Sequence, residues 1–291
     1  MIRHTFLHLP GIGPQREQSL WARGILDWTQ FLLAAEEGLL KDRFSERAVP
    51  LIRRCDEALG AKDAGFFKAT LPRRETWRLY PEFVDRALFI DIETTGLSAY
   101  HNEVTLIGAF GGGELALFMN GVNLEQFPAY VQQFPLLVTF NGSQFDVPFL
   151  RSHFPQARLD QAHIDLRFVL GSLGYRGGLK AVESRLGLRR DPQIEGTDGF
   201  EAVRLWYQYR RGSQEAIKKL VLYNLTDVVN MVQLMEIAFG LKIRALTFPG
   251  SLPRPESLTV PELGQSVTEA WTRRLLENTI ARGQADPVVG K

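Results

Sequence analysis

Apolar residues follow two rhythms along this chain. Up to about residue 86 they recur at helical spacing. From Ala87 they gather into short runs separated by turn residues, the mark of strands alternating with helices. Near the start, Pro10, Gly11, Gly13 and Pro14 make a tight turn. A helix is predicted from about Gln15 to Arg23, stopped by Gly24. Asp27 can cap a second helix reaching about Glu37. Residues 41–86 read as mostly helical, with Phe66, Phe67, Trp77, Leu79 and Tyr80 as core or interface aromatics. Pro81 marks the entry to the next region.

The alternating part predicts a strand from Ala87 running into Asp91 and Glu93. Further strands are expected over Val104–Phe110, Glu114–Met119, Leu136–Phe140 and Ala162–Leu166. Gly111 to Gly113 would turn the second into the third as a hairpin. Helices are expected over Leu124–Phe134, Asp146–His153, Leu179–Leu186, Phe200–Arg210 and Ser213–Phe239. The fold class is therefore α/β: a mixed five-stranded sheet flanked by helices. A small N-terminal helical region (1–84) precedes the sheet domain (85–240). Residues 241–291 hold an extended, proline-rich segment, a last amphipathic helix over Ser266–Ala281 and a frayed end.

Composition narrows this little. At 45% hydrophobic and 23% charged residues the chain is ordinary for a globular protein. No run of 18 apolar residues is present, so no membrane span is expected, and MIRHTFLHLPGIG lacks the apolar core of a signal peptide. A single cysteine, Cys55, excludes an internal disulfide framework and predicts a reducing, cytoplasmic location. It reads as a packed thiol, since no His lies nearby in sequence. Net charge is +1. Residues 1–86 carry 14 Lys/Arg against 12 Asp/Glu, 87–240 carry 13 against 16, and 241–291 carry 7 against 5. Two divalent cations would reverse the sign of the middle, so a nucleic-acid ligand is allowed but not demanded.

The chemistry concentrates in ALFIDIETTGL, residues 87–97. Asp91 and Glu93 stand one residue apart on a strand and so share a face. Either a divalent cation neutralises the pair or both are solvated acids at a strand end. In VTFNGSQFDVPFL, a buried strand ends at Asn141 and Asp146 opens the next helix, as a metal ligand or as an acid favoured by the helix dipole. In the last long helix, Asp227 lies among Leu220, Val221, Leu222, Val228 and Val229, where an acid needs a partner. Tyr223, four residues earlier, shares its face.

FIDIETTGL, FNGSQFDVPFL and YNLTD resemble the three motifs of the DEDD exonucleases, the DnaQ-like branch of the ribonuclease H-like superfamily, across about residues 85–240. The form with Asn-Gly-x-x-Phe-Asp and Tyr-x3-Asp looks like the YprB-like group. The histidine subclass has His five residues before the last Asp; Leu222 stands there, so the tyrosine subclass is implied. The resemblance implies two Mg²⁺ or Mn²⁺ ions held by Asp91, Glu93, Asp146 and Asp227. Asp91 would bridge them, Glu93 and Asp227 would complete the nucleophile side, and Asp146 the leaving-group side. It implies stepwise 3′→5′ hydrolysis of single-stranded DNA or RNA to nucleoside 5′-monophosphates, with the Tyr223 hydroxyl orienting water. Thr94, Thr95, Gly96 and Leu97 would seat the last nucleotide, with Leu97 as a wedge. Asn141 would bond substrate or brace its motif, and Asp165 would support the site or be an ordinary loop acid. His153 and His163 fall outside the motifs and read as structural.

Two further features bear on nucleic acid. LPGIG and the helix after it resemble the hairpin half of a helix-hairpin-helix motif, which meets phosphate through backbone N–H groups. Its first helix has no room before Pro10, and a small docking element is the other reading. Arg53, Arg54, Arg73, Arg74 and Arg78 would line a phosphate track or form solvated faces. The rival functions are a non-catalytic nucleic-acid-binding module on a nuclease fold and a structure-specific endonuclease.

Overall fold

The computed structural model describes residues 1–40 and 43–263 together with positions 270, 271 and 273. Apart from those three positions, the helix expected over Ser266–Ala281 and the end beyond it lie outside the described residues.

The chain opens on helices α1 (Pro14–Ala22), α2 (Trp28–Glu36), α3 (Arg43–Gly60) and α4 (Ala64–Thr70). Gly24 turns left-handed after α1, at φ +82°. Asp27 accepts from Gln30 N at 2.8 Å to cap α2, as its sequence position predicted. A 3-10 stretch (Arg73–Leu79) and α5 (Tyr80–Phe83) lead into the sheet. Phe67, Trp77, Leu79 and Tyr80 are buried there. Cys55 is buried too, and burial pushes its thiol up to about 12.

Strands β1 (Ala87–Thr94), β2 (Val104–Gly111) and β3 (Glu114–Met119) form an antiparallel meander. Gly112 and Gly113, at φ +61° and +81°, make the two-residue turn whose backbone favours glycine at both places. Helix α6 covers only Phe127–Val131, behind a 3-10 turn at Leu124–Gln126. The longer helix expected there is cut because Pro128 has no N–H to continue the earlier turn. Then come β4 (Leu136–Thr139), α7 (Asp146–His153), β5 (Ala162–Asp165), α8 (Leu166–Ser172), α9 (Leu179–Leu186), α10 (Gly199–Arg210) and α11 (Gln214–Ala245). The sequence pattern misses α8, since its cap, Asp165, is also the last residue of a strand.

The sheet runs β3-β2-β1-β4-β5, with β4 and β5 parallel to β1. Alternation sorts β1 between two cores. Ala87 and Phe89 pack toward α11, while Leu88, Ile90 and Ile92 join a second cluster on the opposite face. The odd-numbered face therefore delivers Asp91 and Glu93 toward α11. Apolar residues of α1 to α5 belong to the same cluster as Phe89 and Phe239, and the Trp77 and Tyr80 rings lie 5.7 and 6.4 Å from Phe239. No helix among the described residues is long and apolar enough to cross a membrane.

Candidate active site

The central strand ends in a cluster of acids. Asp91 pairs with Gly108 of β2, and a β-bulge falls between Glu93 and Thr94. A bulge re-aims a strand end. Here the extra residue is Thr105 of β2, and β1 ends at Thr94 just past the two carboxylates. Asn224 of α11 reaches across to donate Nδ2 to Asp91 Oδ2 at 2.9 Å and to the Asp91 carbonyl at 3.1 Å. Gly108 leaves the space for it, because a Cβ there would stand 2.1 Å from Asn224 Oδ1.

Asp146 enters from the first turn of α7, 4% exposed. The Asn141–Gly142 turn that precedes it is tightly specified. Asn141 sits at φ +68°, a conformation Asn tolerates better than most residues. A side chain on Gly142 would meet Thr139 Oγ1 at 2.3 Å. Asp165 holds the turn, accepting from Asn141 N at 2.8 Å, Ser143 N at 3.0 Å and Ser143 Oγ at 2.6 Å while also capping α8. Arg167 Nη1 donates to Asn141 Oδ1 at 2.6 Å. His163 Nε2 lies 2.8 Å from Thr139 Oγ1, beside the same turn.

Tyr223 and Asp227 face this cluster from one side of α11, both buried. Arg190, in the loop after α9, brings Nη1 to 2.6 Å from Asp227 Oδ1. The contact is a buried ion pair, and it pulls the Asp227 carboxylate down against its burial. Lys180 Nζ lies 4.9 Å from the centre of the Tyr223 ring and Arg190 Cζ 5.8 Å.

All four carboxylates are shifted upward. Burial is the main cause for each. Asp91 and Glu93 are held well above the carboxylate range by burial and by the charge of Asp227 and the other acids, eased by hydrogen bonding to Asn224. Burial lifts Asp146 to about 7, against backbone hydrogen bonds at Asp146 itself and at Ile92. Burial lifts Asp227 to about 6 despite Arg190. The Tyr223 hydroxyl is raised by burial and by the charges of Asp227, Glu93 and Asp91, so it stays a phenol. Such a set of buried and half-buried, like-charged oxygen donors suits hard divalent cations in chemistry. As the side chains stand, no trio of His, Cys, Asp or Glu among the described residues closes into a metal cage, and Asp227 is turned to Arg190.

The turn beyond β1 forms a rim. Thr94 Oγ1 donates to the Gly96 carbonyl at 2.6 Å, and Thr95 is pinned to Glu103 through N and Oγ1 at 2.9 and 3.0 Å. A side chain on Gly96 would collide with Asn102 at 2.7 Å. Leu97 and Tyr100 project outward, 77% and 90% exposed.

The sequence-predicted acids and Tyr223 thus converge, and Asp165 and Asn141 brace the Asp146 turn. Sequence reasoning missed Asn224, Arg190, Glu183 and Lys180. The signal for Asn224 was its position in an apolar helix three residues before Asp227. One arginine needs correction. Arg78 is neither on a phosphate track nor solvated: its side chain is 3% exposed and paired with Glu17 at 3.1 Å and Glu75 at 2.9 Å. The buried Glu17 carboxylate requires that counter-charge.

The model of the RNase H superfamily matches residues 88–239. The uncharacterised protein MJ0365 of Methanocaldococcus jannaschii is 29% identical over 163 residues, covering 51% of this chain and 92% of that protein. Among solved structures, the family B DNA polymerase of Pyrobaculum calidifontis is similar at 14% identity and a TM-score of 0.42, over 53% of this chain and 25% of the polymerase. The Aedes aegypti Nibbler EXO domain is similar at 13% identity and a TM-score of 0.37, over 57% of this chain and 85% of that domain.

Proposed function

The chain belongs to the RNase H superfamily, and from that premise we propose that it is a metal-dependent 3′→5′ exonuclease of the tyrosine-type DEDD class acting on single-stranded nucleic acid. Its motif forms resemble those of the YprB-like group. One observation carries the reading: four carboxylates from β1, α7 and α11, three of them buried and Asp91 half-buried, gather under one tyrosine and repel one another. Asp91, Glu93, Asp146 and Asp227 would hold two Mg²⁺ or Mn²⁺ ions, which when bound neutralise phosphate charge and supply an activated water.

The residues of the chain do the rest. Tyr223 remains protonated, so its hydroxyl orients water by hydrogen bonding and does not act as a full base. Asn224 fixes the rotation of Asp91 through the bond to Oδ2. The rigid Thr94–Gly96 turn seats the terminal nucleotide, and exposed Leu97 wedges beside its base. Asn141, engaged by Arg167, supports the Asp146 turn.

The test is an assay on 3′- and 5′-labelled single-stranded DNA and RNA with Mn²⁺. Stepwise shortening from the 3′ end is expected, releasing nucleoside 5′-monophosphates, lost on blocking the 3′ end and lost in a folded Asp227→Ala variant. Cleavage of 3′-blocked substrate would identify an endonuclease instead. Binding without cleavage would identify a non-catalytic module. Tyr223→Phe is expected to lower kcat about 10²-fold with little change in substrate binding; an unchanged kcat removes its role.

A further inference from the structure

Arg190 belongs to none of the carboxylate motifs, yet it is the most tightly held cation at the site. Its Nε and Nη2 donate to Glu183 Oε2 and Oε1 at 2.6 and 2.9 Å. This fork-on-fork pair fixes the plane of the guanidinium. Glu183, on α9, is 1% exposed, and its Oε1 also accepts from Asn230 Nδ2 at 2.9 Å. Asn230 lies three residues after Asp227 on α11, so the assembly is tied to the helix it serves. The remaining nitrogen, Nη1, meets Asp227 Oδ1. Both atoms are sealed from solvent and have no other partner among the described residues, so each is left to the other.

We propose that Arg190, clamped by Glu183 and Asn230, is a positioning residue: it takes Oδ1 of Asp227, fixes the rotation of that carboxylate, and leaves Oδ2 to bind a divalent cation. This rests on reading Asp227 as a cation ligand.

Two features favour a brace over a competitor for the cation. Glu183 cancels the charge of Arg190, so the pair adds no net positive charge to repel a metal ion. The guanidinium is also held in place: two hydrogen bonds join it to Glu183 on α9, and a third joins Glu183 to Asn230 on α11, which opposes its withdrawal from Oδ1. A ligating carboxylate whose second oxygen is held by an outer partner is oriented at no cost when the ion arrives.

The experiment titrates Mn²⁺ into the full chain by calorimetry and by loss of the free-Mn²⁺ electron paramagnetic resonance signal. It compares wild type with Arg190→Gln, Arg190→Lys, Glu183→Gln and Asp227→Asn, with circular dichroism to confirm folding. Arg190→Gln and Glu183→Gln are expected to weaken Mn²⁺ binding about 10- to 100-fold. Arg190→Lys, which keeps the charge without the fork, should recover only part of the loss. If Arg190→Gln does not fold, Glu183→Gln carries the test. Unchanged or tighter Mn²⁺ binding in the folded variants overturns the brace alone. If wild type binds no Mn²⁺, or Asp227→Asn binds it as wild type does, the site reading fails and the brace with it.

Discussion

Two buried acid clusters in this molecule are built from the same chemistry and end in opposite electrostatic states. Glu17, on α1, is 1% exposed and fully served: Thr5 Oγ1 and Phe6 N donate to Oε1, and Arg78 Nη1 meets Oε2 at 3.1 Å. Every oxygen has a donor, and the carboxylate ties the N-terminal segment to the 3-10 stretch before the sheet. At the end of β1 four carboxylates share one arginine contact, one asparagine amide and the backbone hydrogen bonds of Asp146, and all are raised. The first cluster is closed by the protein. The second is left short of positive charge. Burial alone therefore does not mark a functional acid; an uncompensated group of buried acids does.

Exchanging charge for its neutral isostere should separate the two clusters most sharply. Asp91→Asn is expected to abolish phosphodiester cleavage while raising the melting temperature of cation-free protein, because it relieves repulsion. Glu17→Gln should do the reverse, destabilising the fold by about 1–3 kcal/mol, because buried Arg78 keeps Glu75 but loses its second carboxylate, while folded molecules still cleave. Chemical denaturation and the labelled-strand assay on both variants check this; an Asp91→Asn protein less stable than wild type would break the comparison. A smaller effect is expected at Gly108→Ala. The new methyl must displace Asn224, so cleavage should fall at least about tenfold through loss of the Asp91 bond, with Mn²⁺ affinity falling in parallel.

The smallest effect is on pH dependence. Asp146 and Asp227 are raised from 3.8 to about 7 and about 6. Groups raised on folding bind more protons in the folded state, so their stabilisation is complete below about pH 3.8 and is lost as pH rises through about 6 and 7. Without divalent cations the melting temperature should fall across that window, and an Asp146→Asn variant should show a flatter profile. A melting profile identical in wild type and Asp146→Asn would count against the shift.

The sequence carried the frame of this site better than its surroundings. Asp91, Glu93, Asp146, Tyr223 and Asp227 were legible because strand alternation and helical spacing fix which side chains share a face, and the motifs supply their order. The five strands followed from the same periodicities, and their order in the sheet did not. Arg190 was not legible: it is the second of two consecutive arginines in a loop, and Asp227, which it meets, lies 37 positions further along the chain. Glu183 reads as an ordinary helix-surface acid until α11 is packed over it. Arg78 was misread because nothing local distinguishes an arginine that pairs with a glutamate 61 residues away. The shortened α6 and the missed α8 have local causes, a proline and a cap shared with a strand end. Helix α11 outran its expected end at Phe239 by six residues.

That helix has a mechanical consequence. Its 32 residues make a rod about 48 Å long. Near its middle it carries Tyr223, Asn224 and Asp227; about 18 Å further on, Phe239 is gripped by Trp77 and Tyr80. A stiff cylinder cannot roll at one point and stay put at another. The aromatic grip therefore works as a torsional stop, setting the rotational phase at which the rod presents its polar side chains to β1. A loosened ring at Trp77 would be felt at the carboxylates as a change of angle, without any chemical group at the site being altered.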